Sequence, residues 1–139
     1  MTQEDKELLL KDICSRIPYG VKCQCFDERT IATLTGIKSK SKLYFDELDW
    51  KEFDGIVNID YDYCKPYLFP LSSMTEEQKE EFDKMSELDT EYIITQFKND
   101  APNWTSGLNR FNWLLKNHFD FYGLIPMGLA NDATGLNIY

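Results

Sequence analysis

Lys65-Pro66-Tyr67-Leu68-Phe69-Pro70 divides this chain into two stretches of different character. Proline has no N–H to give to a ladder or a helical turn, and its ring holds φ near one value. Two prolines this close therefore argue against a central strand or a helix and predict an extended crossing link. Short strand patterns precede the link and helical patterns follow it. The expectation is an α+β fold, a single domain over residues 1–139, with an N-terminal helix, about four mainly antiparallel strands, and C-terminal helices packed on the sheet.

Upstream of the link, Leu8, Leu9 and Ile13 lie at helical spacing, Thr2 is placed to cap, and acids crowd the first turn, so residues 4–13 read as a short amphipathic helix. Pro18 and Gly20 end it. Val21-Lys22-Cys23-Gln24-Cys25 then alternates with period two, which points Cys23 and Cys25 inward together on a half-buried strand. Thr30 to Ile37 is β-branched and is expected to stop at Gly36, and Leu43-Tyr44-Phe45 and Ile56-Val57-Asn58-Ile59 complete the four strands.

Downstream, Ser73 or Thr75 is placed to cap a helix whose signature is Thr75 followed three residues later by Gln78, with Glu76 and Glu77 in the first turn, and Phe82 and Met85 supply its inner stripe. Residues 91–97 fit a helix or a fifth strand equally. Trp104, Leu108, Phe111 and Leu115 recur at steps of four, three and four, which predicts a helix running to about Asn117. The tail from Phe119 is rich in turn residues, with room for one helical turn around residues 124–130.

Composition narrows the function classes. A chain of 139 residues that is 42% hydrophobic and 14% aromatic has the apolar surface to offset chain entropy and fold. There is no apolar run near the ~20 residues a membrane helix needs, and the opening MTQEDKELLL is too acidic for a signal peptide, so the expected compartment is the cytoplasm and no membrane partner is expected. The formal charge of -9 disfavours direct nucleic-acid binding, which depends on Lys and Arg against phosphates, and favours a basic protein partner.

Several residue groups could carry chemistry. Cys23, Cys25, Cys64 and the sole histidine, His118, have the composition of a zinc site, but only one close ligand pair is present, so buried reduced thiols are expected and no metal. His118 follows Leu115 by three residues, at a helix C-terminus whose dipole favours a cation. With Asp120 it is a candidate acid/base pair, and capping or core packing would account for it equally. Asp60 and Asp62 alternate on one strand face and could hold Mg²⁺ or act as paired carboxylates, although acids after a strand are commonly solvated turn residues. Nucleotide-loop, dinucleotide, zinc-protease, serine-hydrolase and calcium-loop motifs do not occur, which weighs against an enzyme, and no cofactor is expected.

Between Glu76 and Glu91 eight acids face two lysines, Lys79 and Lys84, so most of the acidic excess forms one ridge. A solvated helix face with a helpful Glu80–Lys84 spacing accounts for such a run. Docking to a basic protein is the functional alternative, and carboxylates spaced like phosphates would let it displace DNA. Trp113 lies off the stripe of Trp104 and Phe111, so it is either buried under the tail or exposed to a partner.

The stretches from Lys65 to Glu77 and from Asn117 to Ala130 resemble a family of small hypothetical proteins of gut bacteria, their phages and mobile elements. The resemblance extends from the opening helix and Pro18-Tyr19-Gly20-Val21 to the tail, and it carries no assigned activity. Members commonly hold arginine where Phe69 and Tyr122 stand and a second histidine where Asn117 stands, departures that speak against phosphate binding or paired histidines in this chain. A phage or mobile-element setting implies an accessory protein. The expected function is binding of another protein through Glu76, Glu77, Glu80 and Glu81 and an aromatic C-terminal region that includes Trp113. The alternatives are a small hydrolase or nucleotide-modifying enzyme using His118 with Asp120 or Asp60 with Asp62, and an acidic DNA mimic.

Overall fold

The computed structural model describes residues 1–27, 29–46, 55–59, 63–85 and 108–139. Helix α1 (Gln3–Ser15) starts in a full capping box: Asp5 N–H donates to Thr2 Oγ1 and Thr2 N–H donates to Asp5 Oδ2, both at 3.1 Å. Those bonds use two donors that a helix start otherwise leaves orphaned, and they hold the Asp5 carboxyl below its ordinary pKa. Leu9 and Ile13 are buried on the inner face, each stabilising by ~1.5–3 kcal/mol. After a 3₁₀ turn (Ile17–Tyr19), Gly20 takes φ +66° and turns the chain into the sheet.

The four strands expected from alternation are present. β1 (Lys22–Cys25), β2 (Ile31–Ser39), β3 (Lys42–Phe45) and β4 (Ile56–Asn58) pair antiparallel in sequence order. Gly36 does not end β2. The strand runs on to Ser39, and its register against β3 shifts between Leu34 and Gly36 and again between Ile37 and Ser39, as a glycine inside a strand often signals. Gly55 enters β4 at φ +69°, and a Cβ there would lie 2.9 Å from the Phe45 carbonyl oxygen, so this position admits only glycine. Gln24, expected to face solvent, is buried, because the C-terminal segment covers that face of β1 and Asn131 Nδ2 donates to Gln24 Oε1 at 2.7 Å.

The link read from its prolines is itself a strand, β5 (Cys64–Pro70), with partners on more than one side. It lies antiparallel to β1, with Cys23 opposite Pro66 and Cys25 opposite Cys64. Phe26 N–H donates to Tyr63 O at 2.9 Å, which sets the phase of this ladder. Bonded pairs alternate with unbonded ones, so Pro66 falls at an unbonded position and the missing N–H removes nothing from β1. Toward its end β5 gains two short parallel partners, β6 (Phe119–Asp120) and β7 (Asn131–Asp132). Among the described residues the sheet is therefore seven-stranded and mixed, larger than the four mainly antiparallel strands expected.

Helix α2 covers residues 76–85 after a second capping box, in which Gln78 N–H donates to Thr75 Oγ1 (3.2 Å) and Thr75 N–H to Gln78 Oε1 (2.9 Å). Helix α3 (Leu108–Lys116) leads directly into β6. Residues 124–130 form turns rather than a helical turn. The segment 91–97 and Trp104 lie outside the described residues. The core gathers Leu9 and Ile13 of α1, Leu34, Leu43 and Val57 of the antiparallel strands, and Leu68 and Leu124 from the second half. No described helix is long and apolar enough to cross a membrane.

Candidate functional site

Helix α1 carries a salt bridge on its inner face. Leu9, Asp12, Ile13 and Arg16 fall at spacings of three, four and seven from Leu9, so the two charges share the stripe of the two apolar residues and are taken out of water with them. Both side chains are 0% exposed. Arg16 Nε and Nη2 donate to the two Asp12 oxygens at 2.8 Å, and Nη2 also donates to Phe119 O at 2.8 Å, which ties α1 to β6. The guanidinium lies under the Phe121 ring at 5.1 Å, while Nη1 has no hydrogen-bond partner among the described residues. Burial pushes the Asp12 carboxyl up, and the bonds from Arg16 oppose that shift.

His118 sits two residues beyond α3 at φ +61°, and its backbone N–H donates to Leu115 O, which closes the helix end. The side chain is turned inward, not held as a solvated cation at the helix terminus. Burial first and the Arg16 charge second bring its pKa down to about 4, so the imidazole is neutral at pH 7. It stacks on Tyr139 with centroids 3.6 Å apart, and Nδ1 is enclosed without a partner among the described residues. The Tyr139 hydroxyl bridges β1 and β5, accepting from Lys22 N–H (2.9 Å) and donating to Tyr67 O (2.7 Å). Burial pushes its pKa up.

The residues singled out from the sequence separate into distinct places. Asp120, near His118 in sequence, accepts from the backbone N–H groups of Leu124 (2.8 Å) and Ile125 (2.9 Å) and so anchors the following turn, and among the described residues no hydrogen bond joins it to the imidazole. Asp60 and Asp62 lie outside the described residues. Cys23, Cys25 and Cys64 are neighbours in the core and none of them is in a disulfide; burial drives the Cys23 thiol well up, and Cys64 beside it adds to the shift. His118 is packed on Tyr139, and among the described residues no three His, Cys, Asp or Glu are placed to hold a metal.

Glu76, Glu77, Glu80, Glu81 and Asp83 are all exposed on α2, whereas Gln78, Phe82 and Met85 turn inward and are half-buried. Phe82 packs against Trp113 at 5.5 Å, and Trp113 stacks on Phe119 at 5.6 Å. Trp113 is therefore buried beneath α2, and the indole is not part of the outer surface. Most of the other C-terminal rings also serve one another: Phe111 meets Phe121 edge-on at 4.8 Å, and Phe121 packs on Tyr122 at 4.5 Å.

Sequence reasoning missed the Asp12–Arg16 pair, and the signal for it was present: opposite charges four apart, inside an apolar stripe rather than across from it. No protein-family profile, curated protein or solved structure matches this chain.

Proposed function

We propose that this protein is an accessory interaction protein of phage or mobile-element type, which docks on a basic surface of another protein through the outer face of α2. The observation that carries the reading is the division of α2 by environment. Five carboxylates, at positions 76, 77, 80, 81 and 83, lie on the solvent side with only Lys79 and Lys84 among them, and the apolar residues of the same helix are used inward. Complementary charge of this kind speeds encounter and selects partners more than it deepens affinity, and it weakens as salt rises. The His118–Asp120 hydrolase reading draws no support from the geometry, because among the described residues no hydrogen bond joins Asp120 to the imidazole and its carboxylate anchors a turn instead.

The test is capture of a partner from host lysate by the wild-type chain and by a variant with Glu76, Glu77, Glu80 and Glu81 changed to Lys. The expected result is a stoichiometric basic partner with the wild type and none with the variant, whose circular dichroism is unchanged. Equal capture by both chains ends the proposal. Release of the partner by added duplex DNA would assign the face to displacement of DNA.

A further inference from the structure

A cavity of about 510 Å³ opens where the end of β5, the start of α2, the exit of α3 and the C-terminal tail meet. Phe69, Phe119 and Tyr139 give it an aromatic wall, with Phe69 6.0 Å from Tyr139 and 6.3 Å from Phe119 between centroids. His118 lies in the same wall. It is 9% exposed and makes no side-chain hydrogen bond among the described residues, so a neutral imidazole with one N–H to give and one nitrogen to accept stands unused at the cavity. Nδ1 is enclosed, so Nε2 is the ring nitrogen open to a ligand, and in the Nε2–H tautomer it can donate to an acceptor in the cavity.

The remaining free groups are mostly donors. Lys116 is exposed and has no ion pair among the described residues, and among the described lining residues it is the only charged side chain. Gln78 accepts from Thr75 N–H with its oxygen, its NH₂ makes no hydrogen bond among the described residues, and Thr75 and Gln78 bring the partially positive end of α2 to the wall. One ammonium, with no guanidinium fork beside it, suits a single negative charge better than a phosphate dianion.

We propose that this cavity binds a small organic monoanion, a carboxylate carried on a flat apolar ring, with the ring against Phe69 and Tyr139 and the carboxylate received by Lys116, Gln78 and His118. The inference is independent of the acidic face of α2, since Lys116, Gln78 and His118 are not among the carboxylates that define that face.

The chain contains one histidine, so its imidazole signal in NMR reports on this cavity alone. Sodium benzoate and indole-3-acetate are titrated into the full chain, with benzyl alcohol as the uncharged control and inorganic phosphate as the ring-free anion. The expected result is a saturable shift of the His118 ring signal with at least one aromatic acid, weakened about tenfold by Lys116→Gln. No saturable shift with either acid overturns the proposal. So does an equal response to benzyl alcohol, which removes the charge from the recognition, or to phosphate, which removes the ring. Lys116→Gln lies on the surface, so loss of binding there is read against an otherwise unchanged spectrum.

Discussion

Two helices of this protein each carry a short-range ion pair, and the two pairs have opposite fates. On α1, Arg16 and Asp12 meet at 2.8 Å with both side chains 0% exposed. On α2, Lys79 and Glu76 meet at 3.5 Å with side chains 52% and 89% exposed. The sequence spacings, four and three, are equally suited to pairing on a helix. What separates them is the face of the helix on which they fall. A pair lying in the apolar stripe becomes a structural bond between α1 and the Phe119 carbonyl, and a pair opposite the stripe remains available to solvent and to partners.

The largest effect should come from breaking the buried pair on one side only. Arg16→Ala leaves Asp12 as an enclosed carboxylate and strips Phe119 O of its donor, and the expected loss is about 3–5 kcal/mol in urea unfolding. Asp12→Leu combined with Arg16→Met removes both charges and keeps the volume, so it should cost clearly less than Arg16→Ala. A double variant no more stable than the single one would mean that the pair itself, not the stranded charge, holds α1 to β6.

Next in size is the pH response of His118. Its folded pKa of about 4 lies below the ordinary 6.5, so between those values the unfolded chain binds more protons than the native one. The stability this histidine contributes is present above pH 6.5 and is lost as pH falls toward 4, with a slope of at most about 1.4 kcal/mol per pH unit. His118→Asn tolerates the left-handed backbone and cannot titrate. Subtracting its stability profile from that of the wild type isolates the term, and a flat difference between pH 4 and 6.5 would show that the imidazole is not enclosed. Tyr139→Phe removes the hydroxyl between Lys22 N–H and Tyr67 O and should cost about 1 kcal/mol.

How much of this was legible depends on which interactions leave a periodic trace. The antiparallel strands could be read because Leu43 and Phe45, or Cys23 and Cys25, alternate toward one core, and the cap at Thr2 and the capping box of Thr75 with Gln78 could be read because they are local, although the return bond from Thr2 N–H to Asp5 was not anticipated. β5 was misread because the proline rule counts the missing N–H without asking which side it faces, and at Pro66 it faces away from β1. β6 and β7 are two residues long and exist only as partners of β5, so no pattern of their own announces them. At the site, the acids of α2 were visible as a charge run, but burial of Trp113 and His118 depends on Phe82, Phe119 and Tyr139 arriving from other segments.

The smallest effect on stability carries the sharpest functional contrast. Lys79→Ala removes the exposed partner of Glu76, and a surface pair at 3.5 Å between two mobile side chains is worth no more than ~0.5 kcal/mol, so the unfolding midpoint should hardly move. The same change deletes one of the two cations on the acidic face, which raises its negative potential toward a basic partner. If the face docks as proposed, Lys79→Ala should bind that partner faster at low salt, and the gain should fade as salt rises. A variant whose association rate is unchanged at low salt would place the partner's contact elsewhere and leave the acids of α2 as solvated surface. The buried pair permits no such experiment, because any change there is felt first as lost folding.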